Sequence, residues 1–261
     1  MNIIVCIKQV PGTSDVQVDP VTGVLKRDGT ESKLNPYDLY ALELALQLAG
    51  TQHTVKTITM GPPQAKAAVM ETLYMGANSG AVISDRKFAG ADVLATSYTL
   101  AQGLQKQGDY GLIICGKQTT DGDTAQVGAE IAESLGLPHI SNVESILRLD
   151  DDSVTVRAHQ DASIVTATLK LPCLICTDGG INVPRLPSYK RKMKLSDKLI
   201  SFYTLADMQD TNEMHYGLNG SPTQVVRIFP PEKSTEKEIW EGSGALLAEK
   251  LQTLLEHRKF I

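Results

Sequence analysis

No run of about 18 apolar residues occurs in this chain, so a membrane-crossing helix is not expected. Charge of one sign is also lacking. The 25 basic and 30 acidic side chains are mixed along the sequence for a net of −5, which implies neither nucleic acid nor an anionic membrane surface as partner. Residues 3–7 already read as a strand, so no signal peptide is expected. Together these absences give the expectation of a soluble, cytoplasmic protein.

Cysteine is sparse. Cys6 and Cys115 sit in apolar strand-like runs, where a thiol behaves as a small hydrophobe. The spacing Cys173-Leu-Ile-Cys176 invites a redox or metal reading. In a strand, however, residues three apart point to opposite faces, and neither a second Cys pair nor a nearby His completes a zinc set. Structural thiols and no metal are expected. Catalytic signatures are missing too: His53, His139, His159, His215 and His257 fall in no zinc or nucleophile motif, and no nucleophile elbow is present. Neither of the two common glycine-rich phosphate fingerprints occurs. There is no internal repeat and no low-complexity tract.

What is present is a βα grammar. At 261 residues and 42% hydrophobic, the chain can bury the core of one or two domains. Strands are expected at 3–7, 55–59, 81–84 and 112–115, with helices at 36–50, 64–75, about 91–105 and after Gln126. Asn35-Pro36 marks a helix start, Asn as cap and Pro in the first turn. Gly76 ends the second helix. A small hairpin is expected at 16–18 and 24–26, around Pro20 to Gly23. Repeated βα units imply a parallel sheet covered on both faces. Beyond Pro138 the pattern changes, with strands at 154–157, 163–170 and 174–177 consistent with an antiparallel sheet edge. Residues 179–189 hold too many breakers for a regular element, and a basic run, Lys190 to Lys194, follows. The chain is then loop-rich to about 231. An amphipathic helix at 244–257 closes the sequence, either folded onto its own domain or resting on another surface.

The segment 116–128 is the most informative. It leaves a short strand at Gly116 and enters a helix through Lys117, Gln118, Thr119, Thr120, Asp121, Gly122, Asp123, Thr124, Ala125, Gln126 and Val127. A helix start offers unpaired N–H groups and a positive dipole end, which together attract anions. A well-capped βα connection, with Asp123 or Thr124 as cap, uses the same residue types. The segment is longer than a connection needs, and the reading adopted is a nucleotide cradle.

Val5-Cys-Ile-Lys-Gln-Val-Pro11, Asn35-Pro36, Met60-Gly-Pro-Pro63, Met75-Gly-Ala77, the 116–128 segment, Leu171-Pro172 and Pro184-Arg185, in this order, resemble the β subunit of electron-transfer flavoproteins over nearly the whole chain. The resemblance implies a doubly wound, mostly parallel, Rossmann-like α/β sheet with helices on both faces and a C-terminal arm. It places an α/β nucleotide-binding domain at 1–231 and an arm and helix at 232–261, packed on an α subunit. The 116–128 segment and Asp85-Arg-Lys-Phe-Ala-Gly-Ala-Asp92 are similar to the family's bifurcating branch. FAD is then implied at the cradle, with Cys6, Lys8, Asn35, Asp38 and Met60 beside it. NAD is implied near Gly61, Pro62, Phe88, Gly90, Ala91, Asp92 and Thr96. Asp92 serves equally as a helix cap. A protruding loop at 182–194, with Pro184, Arg185, Tyr189, Lys190 and Arg191, is implied to meet an FAD-dependent dehydrogenase of the acyl-CoA or 2-hydroxy acid (lactate) type. Ferredoxin is the implied low-potential acceptor. Two alternatives remain open at this point: a non-bifurcating subunit holding AMP, and a nucleotide-hydrolysing or ligating enzyme of similar topology.

Overall fold

A computed structural model describes residues 1–12, 32–226 and 237–261. The hairpin expected at 16–26 and the domain boundary expected at 231 lie outside them. The first strand, β1 (Asn2–Cys6), is followed by a short antiparallel pair, β2 (Gln9–Pro11) and β3 (Ser32–Leu34). Then come α1 (Pro36–Ala49), β4 (Thr54–Met60), α2 (Lys66–Met75), β5 (Ser79–Ile83), α3 (Val93–Gln107), β6 (Leu112–Gly116) and α4 (Val127–Leu135). The main sheet runs β5-β4-β1-β6 through its parallel centre.

The strands alternate between two cores. Ile3, Val5, Leu112 and Ile114 face one hydrophobic cluster with Leu42, Val69 and Leu73 from α1 and α2. Ile4, Ile113 and Cys115 face the other, with Leu100 and Leu104 of α3 and Ile131 of α4. Each fully buried Ile or Leu contributes about 1.5–3 kcal/mol, which is why near-continuous apolar strands specify a sheet covered on both faces. The doubly wound architecture is therefore present, with its four expected central strands each shifted by at most two residues.

The second half holds the strands expected at 154–157, 163–170 and 174–177, together with one before them and one after them that were not expected. The long strand β7 (His139–Leu149) pairs antiparallel with β8 (Ser153–Gln160), and β8 pairs with β9 (Ser163–Lys170). The antiparallel edge is thus β7 to β9. Strand β10 (Cys173–Thr177) instead inserts between β6 and β7, parallel to both. It places Cys173 in one core and Cys176 in the other. A short helix, α5 (Tyr189–Lys194), forms in the basic run because Ser188 accepts the Arg191 N–H as its cap. The loop-rich region contains β11 (Ile200–Tyr203), which extends the sheet beyond β5. The terminal helix α6 (Gly244–His257) has no buried residue, and Leu246, Leu251 and Leu254 are exposed. No helix among the described residues is long and apolar enough to cross a membrane.

Candidate functional site

The chain passes from β1 through β4 to β5 on one side of the sheet, then crosses to β6 on the other. The crevice outside the C-terminal ends of β1 and β6 is therefore the topological switch point, where open α/β sheets take ligands. Three chain segments meet there. Lys8 follows β1, Asn35 and Asp38 begin α1, and the 116–126 segment follows β6.

Asn35 is fully buried and was expected to cap α1, but its side chain makes no cap bond. It clasps the loop instead: Nδ2 donates to the Gln118 carbonyl at 2.9 Å, and Oδ1 accepts the Thr120 N–H at 3.3 Å. Asp38 accepts the Lys8 N–H at 2.7 Å. Burial pushes its carboxyl up to about 7, against the opposing pull of Asn35, Lys8 and Gly116. Gly116 is required by close approach, since a Cβ there would stand 2.5 Å from Asp38 Oδ1 and 2.7 Å from the Tyr37 carbonyl carbon.

Residues 120–126 are exposed. Asp123 and Ala125 have φ of 53° and 55°, a conformation costing about 1–3 kcal/mol for a residue such as alanine. Gln126, not Asp123 or Thr124, is the residue before α4, and it makes no side-chain cap bond. The expectation of an Asp or Thr cap is corrected: Asp123 and Thr124 lie before the helix start, and the positive φ of Asp123 and Ala125 breaks the approach to it. Among the described residues, no acceptor within the chain meets the backbone N–H of any residue from Thr124 through Ala129. Successive N–H groups in left- and right-handed conformations form an anion-binding concavity, here continuous with a helix N-terminus. Lys8 Nζ lies beside it, 2.8 Å from Asp121 Oδ1. Burial raises the Asp121 carboxyl, but Lys8 and Thr119 hold it below its usual value. Lys117 Nζ meets Asp178 Oδ1 at 3.3 Å on the flank.

Met60 and Gly61 are half-buried and Pro62 exposed at the end of β4. The Cys6 side chain is buried in the second core cluster, so only its backbone faces the crevice rim. It sits in register with Cys115, which is in register with Cys176. Although a bond with Cys176 pulls it down, Cys6 and burial push the Cys115 thiol well above its ordinary value. Raised thiols of this kind are unreactive core groups.

The 85–96 segment is held differently. The Phe88 ring is buried against Tyr216, with ring centres 5.4 Å apart, so it offers no side chain to a ligand. Gly90 has φ of 74°, which only glycine adopts readily. Asp92 is the cap of α3, shown by Oδ1 accepting the Ala95 N–H at 3.1 Å. Its Oδ2 accepts both the N–H and the hydroxyl of Thr223. Burial opposes this, but those bonds hold its acid low. The carboxylate is thus committed to the chain's own structure. Ala91 and Thr96 are half-buried nearby, and the Thr96 N–H bonds the Asp92 carbonyl.

In the 182–194 region, two of the expected docking residues turn out to be anchors. Arg185 grips the buried Glu43 of α1 with Nε at 2.7 Å and Nη2 at 3.0 Å, and its N–H adds a third bond. Burial raises Glu43, but Arg185 and Gln47 hold it below its usual value. Arg191 donates to the carbonyls of Leu73 and Ala77 at the end of α2. Pro184 is half-buried, whereas Lys190 and Tyr189 project, as do Val183, Leu186 and Met193. The Glu43–Arg185 pair was missed in the sequence, although a Glu inside the apolar run Leu42-Glu43-Leu44 is the usual mark of a buried partner. Arg185→Ala is expected to lower stability by about 1–3 kcal/mol, less than a fully buried pair because Arg185 is 45% exposed. Urea unfolding checks this, and an unchanged midpoint would contradict it.

A polar depression lined by Gln52, His53 and residues 148–153 lies beside the turn preceding β4, away from the strand C-termini.

A mostly parallel α/β sheet with unpaired backbone donors at its switch point defines the Rossmann-like class of fold. The sequence model of the electron transfer flavoprotein domain matches residues 22–198. The chain is 43% identical to the electron transfer flavoprotein subunit beta of Clostridium acetobutylicum, covering 95% of this chain and 92% of that one. It is 40% identical to the subunit of the same name from Megasphaera elsdenii, covering 90% and 89%. To the caffeyl-CoA reductase-Etf complex subunit CarD of Acetobacterium woodii it is 40% identical, covering 95% and 97%. The chain belongs to the electron-transfer flavoprotein β-subunit family.

Proposed function

We propose that this subunit binds FAD at the 116–128 cradle and takes part in NADH-dependent electron bifurcation, paired with an α subunit. The carrying observation is the run of unpaired N–H groups from Thr124 through Ala129 beside Lys8. That donor set fits the diphosphate of a dinucleotide: backbone N–H groups for the oxygens, and a cation to balance charge. Asp121 and Asp123 shape the loop or meet a ribose. The chemistry supplied by the bound flavin is acceptance of a hydride from NADH and release of its electrons by two routes, toward ferredoxin and toward the α-subunit FAD.

The chain's own residues bind and orient. Asn35 fixes the loop against α1, Asp38 fixes the exit of β1, and Gly116 lets the two approach. On the NAD side, Gly61, Pro62, Gly90, Ala91 and Thr96 present backbone and small side chains. Asp92 and Phe88 support that segment from behind. Similarity to a subunit of a caffeyl-CoA reductase complex favours a flavin dehydrogenase as the further partner. The exposed Tyr189, Leu186 and Met193 among Lys190, Lys192 and Lys194 suit an apolar anchor with electrostatic steering toward an acidic surface. The exposed leucines of α6 suit packing on the α subunit.

Replacing Thr124 and Gln126 together with alanine removes the polar side chains on either side of Ala125 and is expected to lower the flavin content of the purified complex. Absorbance of released flavin per heterodimer measures it. Full retention would place the flavin elsewhere.

A further inference from the structure

Two lysines frame the cradle, and each is held by an acid of the chain itself. Lys117 meets Asp178 at the ends of adjacent strands, where Asp178 also accepts the Gly179 N–H at 2.8 Å. That pair ties together the C-terminal ends of β6 and β10. The Lys8–Asp121 pair differs, because it reaches from the exit of β1 to the exposed tip of the loop. A Cβ on Gly122 would stand 4.0 Å from Lys8 Nζ, so the ammonium lies over the turn that leads into the unpaired N–H groups.

The backbone of Lys8 is fixed on both sides. Its N–H donates to Asp38 and its carbonyl accepts the Asn35 N–H at 2.9 Å. Only the side chain is free to change partner. Its side chain and that of Asp121 are 44% and 32% exposed, so the pair is weak and either group rehydrates at little cost on separation. A phosphate makes more and stronger charge-assisted bonds to an ammonium than one carboxylate oxygen does. An uncharged ligand offers nothing in exchange.

Building on the nucleotide reading of the cradle, we infer that Asp121 is a displaceable counter-anion, holding Lys8 at the site until a diphosphate takes its place. Ligands that carry a diphosphate take Lys8 over from Asp121, and those that lack one leave the pair in place.

The test uses the full chain purified with its partner subunit, freed of nucleotide, and titrated with ADP and with adenosine. Asp121→Asn is expected to tighten ADP about threefold to tenfold, from loss of the competing pair. Adenosine affinity stays constant. Lys8→Gln weakens ADP, and in that background Asp121→Asn has no further effect. If the wild type binds ADP but Asp121→Asn leaves it unchanged or weaker, the exchange is wrong and the cradle stands. Equal tightening in the Lys8→Gln background also refutes the exchange. If the wild type binds no ADP, the cradle reading falls, and this inference with it.

Discussion

Gly116→Ala is expected to strip the complex of its flavin and to lower the stability of the chain by about 2–3 kcal/mol. The added Cβ would meet the Asp38 carboxylate at 2.5 Å and the Tyr37 backbone at 2.7 and 2.9 Å. Backbone atoms at a helix start cannot rotate away as a flexible side chain does. Either α1 shifts outward or the β6 exit does, and overpacking of this kind costs about 1–3 kcal/mol and sometimes more. Both movements pull on Asn35, whose two bonds to Gln118 and Thr120 set the shape of the loop. Flavin content and the urea midpoint should therefore fall together. A variant that keeps its flavin at wild-type stability would show that the close approach at Gly116 does not shape the site.

The second large effect is on pH dependence. Asp38 holds its proton in the native state up to about pH 7, whereas the unfolded chain releases it near 3.8. Between these values the native state binds more protons, so this group's stabilising contribution is full below pH 3.8 and is lost as pH rises through 7. The total is about 4 kcal/mol. Asn in its place still accepts the Lys8 N–H but carries no charge. Asp38→Asn is therefore expected to gain stability relative to the wild type between pH 4.5 and 8. Chemical denaturation across that range measures the difference, and parallel profiles would refute the assignment.

Much of this molecule was legible because its central strands are apolar on both faces and its helix boundaries are marked by Asn35-Pro36, Gly50 and Gly76. The β7 strand escaped because polar and half-buried residues run through it. Alternation is interrupted there by register shifts near Val143 and Ile146. Helix α5 escaped because breakers on its N-terminal side obscure the Ser188 cap. At the site, the loop itself was readable from its density of Gly, Asp and Thr. The roles within it were not. Asn35 looks like a cap in sequence but serves a loop 83 positions away, and Arg185 and Arg191 look like part of a protruding docking loop but bind Glu43 and the end of α2. Such long-range pairings leave no local signature. Asp92 is the converse case, since the cap reading was open in the sequence and the bond from the Ala95 N–H shows the cap.

Whether this β subunit carries flavin in its cradle is decided by anaerobic denaturation of the intact complex with its α subunit, followed by identification of the released nucleotides. One FAD for each of the two subunits is expected, with flavin reduced on addition of NADH before denaturation. AMP in place of the second FAD, with no reduction by NADH, would contradict it.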